Sequence, residues 1–217
     1  MEFVYVVERA RLFDLSFPHG LISAATCREQ VQAYLTRIRD HGFFLERRKA
    51  EQDSSFKQII PYMAIKKDDQ VMLLERSDKQ GEARLHGKRS IGIGGHINPV
   101  DVDAADILLE GLRREVQEEL HVDGSLDYRV AGFLNDDSSD VGSVHFGLVV
   151  VADASNAQVS IRETDMMDGR FVARSELVDL HAAEPDRFET WSALLVERLD
   201  EVLSSEISLS RALAASS

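Results

Sequence analysis

From residue 105 to 120, apolar side chains recur at Ala105, Leu109, Leu112, Val116 and Leu120, the spacing of one stripe along an α-helix. The same reading predicts a helix over 27–40, opened by Thr26 and Glu29 at capping-box spacing and stopped by Gly42, and further helices over 175–181 and 187–203. Alternating or short apolar runs predict strands over 3–7, 43–47, 58–65, 70–74, 128–133, 144–151 and 170–173. Lys66-Lys67-Asp68-Asp69 reads as the turn of a hairpin, and Asp103 as the N-cap of the helix that follows, with Asp106 at its third helical position. Strands alternating with helices predict an α/β fold. The polar break Glu51-Gln52-Asp53-Ser54-Ser55 sets off a strand-helix addition, 1–55, from a main domain over 56–204, and the small-residue end places a mobile tail over 205–217.

Charge narrows the partners. The chain has 217 residues with 38 acidic and 25 basic side chains, a net −13, which argues against broad binding to nucleic acid or to an anionic membrane. Cys27 is the sole cysteine, so neither an internal disulfide nor a cysteine-rich zinc site can form. Glu2 and Glu8 interrupt the start where a secretion signal would be basic and then apolar. The longest strongly apolar run, 146–152, is too short to span a bilayer. A cytoplasmic protein is expected.

The chemistry concentrates on one helix. Residues three and four apart on a helix are neighbours, so Glu115 faces both Glu118 and Glu119. At about 6 Å each like-charge pair costs roughly 0.7 kcal/mol in water and about 3 at an effective dielectric of 20. The single Arg114–Glu118 pair returns only about 0.2–0.5 kcal/mol. Such an edge is unfavourable unless a cation joins it, and hard carboxylate oxygens suit Mg²⁺ or Mn²⁺. Arg76, Arg84, Lys88 and Arg89 cluster upstream, and an arginine fork suits phosphate. They are the candidate substrate-binding cations. His145, in an apolar strand, reads as structural.

Gly94-Gly95 followed by Arg114-Glu115-Val116-Gln117-Glu118-Glu119 resembles the Nudix hydrolase family, whose box reads G-x5-E-x7-R-E-U-x-E-E-x-G-U, with U aliphatic. The R-E-U-x-E-E core is intact and Val122 fits the last U. Counting back from Arg114 puts the box glycine position on Val100 and the first glutamate position on Asp106, so Gly95 aligns only across a loop five residues longer, within 98–106. His121 replaces the last box glycine, and Ile93 the usual proline before the glycine pair. The segments 56–98 and 189–199 are similar to a little-characterised bacterial branch of that family.

The resemblance implies an α/β/α sandwich with a mixed sheet, and hydrolysis of a phosphoanhydride in a nucleoside diphosphate linked to another group, with Mg²⁺ or Mn²⁺ as cofactor. It implies Glu115 and Glu119 as metal ligands, Glu118 as ligand or water-orienting base, Arg114 as organiser of the glutamates, and the Gly95 carbonyl as a further metal oxygen. A further acid is implied in 163–171, where Glu163 is favoured over Asp165 and Asp168. The partner is then a small nucleotide-type molecule, with residues 1–55 completing its pocket or a homodimer interface. A second reading stays open, in which the lengthened loop and His121 mark a nucleotide-binding or regulatory module without turnover.

Overall fold

The computed structural model describes residues 1–14, 17–76, 87–102, 106–162 and 167–214. Its first half runs β1 (Phe3–Glu8), α1 (Arg9–Leu12), β2 (Gly20–Ser23), α2 (Arg28–His41), β3 (Phe43–Glu46), α3 (Arg47–Ala50), β4 (Phe56–Lys67), β5 (Gln70–Arg76), β6 (Arg89–Ser90) and β7 (Gly92–Gly94). A 3-10 turn, Pro99–Asp101, leads to α4 (Ile107–Glu119), β8 (Leu120–Gly124), β9 (Asp127–Asn135), α5 (Asp140–Ser143), β10 (His145–Asp153), β11 (Ala157–Ile161) and β12 (Met167–Ala173). The chain closes with α6 (Arg174–Ala183), α7 (Thr190–Val196), α8 (Leu199–Leu203) and α9 (Leu209–Ala214).

One large mixed sheet follows the order β12-β5-β4-β10-β9-β2, with β1 and β7 both paired to β4. β10 lies parallel to β4, from His145↔Gln58 to Asp153↔Lys66, and antiparallel to β9. The predicted hairpin is present: Lys66 pairs with Val71 and Lys67 with Gln70, and Asp68 takes the left-handed φ of 52°, which a short Asp side chain tolerates.

β4 is buried on both faces, which is why its sequence is an apolar run rather than an alternation. Ile59, Met63 and Ile65 join a core with Leu35 and Ile38 of α2 and Leu108 and Leu112 of α4. Tyr62 faces the other way, with Leu177 of α6, Leu195 and Val196 of α7 and Val202 of α8. A mixed sheet flanked by helices on both faces is the α/β architecture that the pattern predicts.

Residues 1–55 are built into this sheet and core rather than hung beside it. β1 pairs with β4, Tyr5 N–H donates to the Ile97 carbonyl at 3.0 Å, and Asn98 Nδ2 donates to the Phe3 carbonyl at 2.9 Å. The expected Thr26–Glu29 capping box is not formed; Cys27 stands at the N-cap and contributes no side-chain bond. The expected mobile tail also differs over 205–214. Ser205 Oγ donates to the Val130 carbonyl, Val130 N–H to the Ile207 carbonyl at 2.8 Å, and Leu209 and Leu213 are buried. Among the described residues no helix is long and apolar enough to cross a membrane.

Candidate active site on the glutamate helix

α4 begins three residues later than an Asp103 cap would have it. Asp106 is the N-cap, accepting from Leu108 N–H at 3.0 Å and Leu109 N–H at 3.1 Å, and Arg39 of α2 pairs with it. Asp103 and Ala105 lie outside the described residues. The buried face is Leu108, Gly111, Leu112, Glu115 and Val116, with Leu109 at its margin. Glu115 therefore lies within the stripe, 9% exposed, rather than beside it. The helix ends because Leu120 is extended, φ −125° and ψ 146°, and the chain passes straight into β8. No left-handed residue is needed there, which accounts for His121 where the box has glycine.

Gly95 and Glu115 fit each other. A Cβ on Gly95 would stand 2.1 Å from Glu115 Cδ and 2.2 and 2.3 Å from its oxygens, so only a glycine leaves room for the carboxylate against this backbone. Burial pushes the Glu115 carboxyl above its usual pKa; Arg114 opposes the shift, and the charges of Glu118 and Glu119 add to it.

Arg114 ties the site together. Nη1 donates to Glu115 Oε1 at 2.9 Å and to Glu118 Oε1 and Oε2 at 3.2 and 3.1 Å. Nη2 donates to the His96 carbonyl at 2.6 Å, and Nε to Asp101 Oδ1 at 3.2 Å. Burial works against this guanidinium, but Asp101 and Glu115 outweigh it and hold its pKa above the ordinary arginine value.

Asp101 is the residue that sequence reasoning missed. It is 2% exposed, ends the 3-10 turn Pro99–Asp101, and accepts from Asn98 N–H at 2.8 Å. The lengthened loop thus supplies the anchor for Arg114. Asn98-Pro99-Val100-Asp101 carried the signal: a capping residue, proline at the first helical position and an acid at the third.

A second cluster stands at the other end of the loop. His145 Nδ1 donates to the Val141 carbonyl at 2.7 Å, which leaves its Nε2 bare, 3.4 Å from His96 Nε2. Burial, reinforced by Arg47 and His145, lowers the His96 pKa to about 3. His145, read from sequence as structural, also lines a cavity of ≈ 570 Å³ beside Gly94, together with Tyr62 and Trp191.

Of the predicted cations, Arg76 and Lys88 line this cavity. Arg76 Nε donates to Glu189 at 2.6 Å, and Lys88 to the Asp186 carbonyl. Arg89 is nearly buried, with Nη1 2.6 Å from Glu184. Arg84, Glu163 and Asp165 lie outside the described residues. Asp168 is exposed on β12, where its carboxylate accepts from Gly169 N–H. Among the described residues no three His, Cys, Asp or Glu side chains form a ready metal-ligand group. The fit for a cation rests on the Gly95–Glu115 cradle and on the oxygen donors that share its edge.

No family model matches the chain. Protein YmaB of Bacillus subtilis (strain 168) is 38% identical over 163 residues, 72% of this chain and 77% of that protein. The crystal structure of Tm1382, provisionally named a Nudix hydrolase, is 28% identical with a TM-score of 0.73, and covers 91% of this chain and 98% of its own. Likeness of this extent, in a chain that seats its Arg-Glu-Val-Gln-Glu-Glu run against Gly95, makes this a homologue of YmaB that belongs to the Nudix hydrolase family.

Proposed function

We propose that the protein is a Mg²⁺- or Mn²⁺-dependent hydrolase of a phosphoanhydride bond in a nucleoside diphosphate linked to another group. The observation that carries this reading is the Gly95–Glu115 cradle: a nearly buried carboxylate against a backbone with no Cβ, with Glu118 and Glu119 one turn further along the same helix. Glu115, Glu119 and the Gly95 carbonyl would hold the cation. When bound, it neutralises the carboxylate edge and supplies Lewis acidity toward a phosphoryl oxygen.

The remaining work falls to this chain's own groups. Arg114, fixed by Asp101 and the His96 carbonyl, holds Glu115 and Glu118 in one arrangement. Glu118 is exposed, and its carboxylate is the proposed acceptor of the proton from the attacking water, or Glu163 is, which precedes β12 in the sequence. Attack at phosphorus breaks the bridging P–O bond, and the electron pair leaves with the departing phosphate oxygen. Arg76 and Lys88, at the cavity rim, are the proposed phosphate-side cations, with Arg84 and Arg89 from the same segment.

A binding module without turnover is the second reading. One contact favours it: both Glu118 oxygens already accept from Arg114. Calorimetry with Mn²⁺ on wild type, Glu115→Gln and Glu119→Gln tests the cation site. Weakened binding in both variants is expected, and equal affinity in all three would remove these residues from it. A panel of nucleotide sugars, dinucleoside polyphosphates, nucleotide cofactors and nucleoside triphosphates, read by product mass, tests turnover.

A further inference from the structure

Gly94 and Gly95 face opposite ways, and the two sides of this short stretch carry different chemistry. A Cβ on Gly95 would meet Glu115, whereas one on Gly94 would meet Tyr62 Cδ2 at 3.0 Å and Ile60 Cγ2 at 3.3 Å. His96 follows on the side of Gly94, where its ring stands 5.5 Å from that of His145 between centroids. His145 opens β10 in register with Gln58 of β4, and Gln58 shares its face of that strand with Ile60 and Tyr62. Carboxylate oxygens thus stand on one face and two imidazoles on the other.

The two imidazoles meet nitrogen to nitrogen. His145 Nδ1 is committed to the Val141 carbonyl at 2.7 Å, and its lone-pair nitrogen, Nε2, is 3.4 Å from His96 Nε2. Two nitrogens each about 2.0–2.1 Å from one tetrahedral ion stand about 3.3–3.4 Å apart. The observed span is therefore that of a chelated metal, and it is longer than the roughly 2.7–3.2 Å of a well-formed hydrogen bond from nitrogen. A ligating histidine almost always donates its other ring N–H to a carbonyl or carboxylate, which is what the Val141 contact supplies. Gln58 is the second observation. It is fully buried, and neither its side-chain oxygen nor its nitrogen has a partner among the described residues. Such an amide is unfavourable until something bonds to it, and it stands one strand spacing, roughly 4.8 Å, from His145 on the same face. The cations whose charges act on these rings, Arg47, Lys57 and Arg114, are each paired. Arg47 holds Glu2 and Glu51, Lys57 holds Asp137, and Arg114 holds Asp101, Glu115 and Glu118.

We propose that His96 Nε2, His145 Nε2 and the Gln58 side-chain oxygen form a site for one transition-metal ion of the Zn²⁺ class, separate from the carboxylate edge on the opposite face. Imidazole nitrogens favour such ions and carboxylates favour harder ones, so the two sites sort metals by ligand type. The site also joins two backbone anchors. The His96 carbonyl accepts from Arg114 Nη2 at 2.6 Å, and the His145 carbonyl from Lys57 Nζ at 3.1 Å. An ion between the rings holds the end of β7 against the start of β10, and so fixes the carbonyl on which Arg114 rests.

The full chain, stripped of metal with a chelator and dialysed, is titrated with Zn²⁺ by calorimetry in excess Mg²⁺, which competes for the carboxylate edge. One Zn²⁺ per chain is expected, and it is expected to persist in Glu115→Gln. His96→Asn and His145→Asn should each weaken it by about 100-fold or more, since losing an outer partner of a ligand alone costs about 10- to 100-fold. Gln58→Met should weaken it by about tenfold, the low end of that range. Absence of Zn²⁺ binding, its loss in Glu115→Gln, or wild-type affinity in either histidine variant would overturn the site. Wild-type affinity in Gln58→Met would overturn the place of the amide in it. X-ray absorption at the zinc edge, on wild type with one equivalent of Zn²⁺, decides the matter even where a variant does not fold. Scattering from two imidazole rings is expected, and a shell of oxygen alone or with a single imidazole would overturn the proposal. Failure here leaves the carboxylate edge to be judged by its own Mn²⁺ titration.

Discussion

Gly95→Ala places a methyl group where the Glu115 carboxylate now stands. The added carbon would lie 2.1 Å from Cδ, whereas real Cβ atoms essentially never come under 3.0 Å and ordinary contact begins at 3.4 Å, so the carboxylate must retreat by about 0.9–1.3 Å. That retreat breaks the 2.9 Å bond from Arg114 Nη1 to Glu115 Oε1. The displaced atoms are the far end of a side chain, so the fold should survive with a loss of about 1–3 kcal/mol, as for other overpacked sites. Misplacing a reacting or ligating group by about 1 Å costs on the order of 10²-fold, close to 2.7 kcal/mol of transition-state stabilisation. The assay is Mn²⁺ calorimetry with turnover on the best substrate of the panel, and thermal unfolding verifies that the variant is folded. A folded Gly95→Ala with wild-type cation affinity and wild-type turnover would refute the argument that this glycine exists to seat Glu115.

Asp101→Asn removes the charge that anchors Arg114 and is expected to lower kcat by about tenfold or more through lost positioning, while costing about 1–3 kcal/mol by denaturant titration; unchanged kcat would make Asp101 a purely structural cap. Lys57, fully buried and bonded to Asp137 at 2.7 Å and to the Gly142 and His145 carbonyls, has its pKa lowered by burial from 10.5 to about 8. Between those values the unfolded chain binds more protons, so stability should rise as pH climbs from about 8 toward 10.5, and Lys57→Met should lose that rise in denaturant titrations across the window. Gln58→Met removes the unpartnered amide and is expected to raise stability by about 1–3 kcal/mol; a loss of stability would show that the amide is satisfied in solution.

The architecture was legible because its signals are local and periodic. The apolar run over 58–65, the four-residue turn at 66–69 and the strand over 70–74 need nothing beyond alternation and turn chemistry. The short strands β8 and β11, which among the described residues pair only with each other, left no comparable run. The candidate site was legible in type but not in depth: the glutamate run is visible, yet Glu115 sits on the buried face with Leu112 and Val116, because Gly95, distant in sequence and without a Cβ, leaves its carboxylate room there. Asp101 was hidden because its importance lies in a contact 13 residues away, to Arg114. The cavity was hidden more completely, since Tyr62, His145 and Trp191 meet only through the parallel register of β10 on β4 and the packing of α7 over Gly147. No spacing in the sequence encodes that meeting. His145 read as an apolar-strand residue because it opens a strand whose remaining residues are apolar.

The central claim is that Glu115, Glu118 and Glu119 with Arg114 make a phosphoanhydride hydrolase. Its most direct test is hydrolysis of the best substrate of the panel in water enriched in heavy oxygen, with Mg²⁺ or Mn²⁺, followed by mass analysis of both products. Heavy oxygen is expected in one phosphate-bearing product of wild type, with a kcat lower by about two to four orders of magnitude in Glu118→Gln if Glu118 is the base, and no turnover in a Glu115, Glu118 and Glu119 triple glutamine variant. Heavy oxygen incorporated equally by wild type and the triple variant, or tight nucleotide binding with no incorporation under either metal, would contradict it.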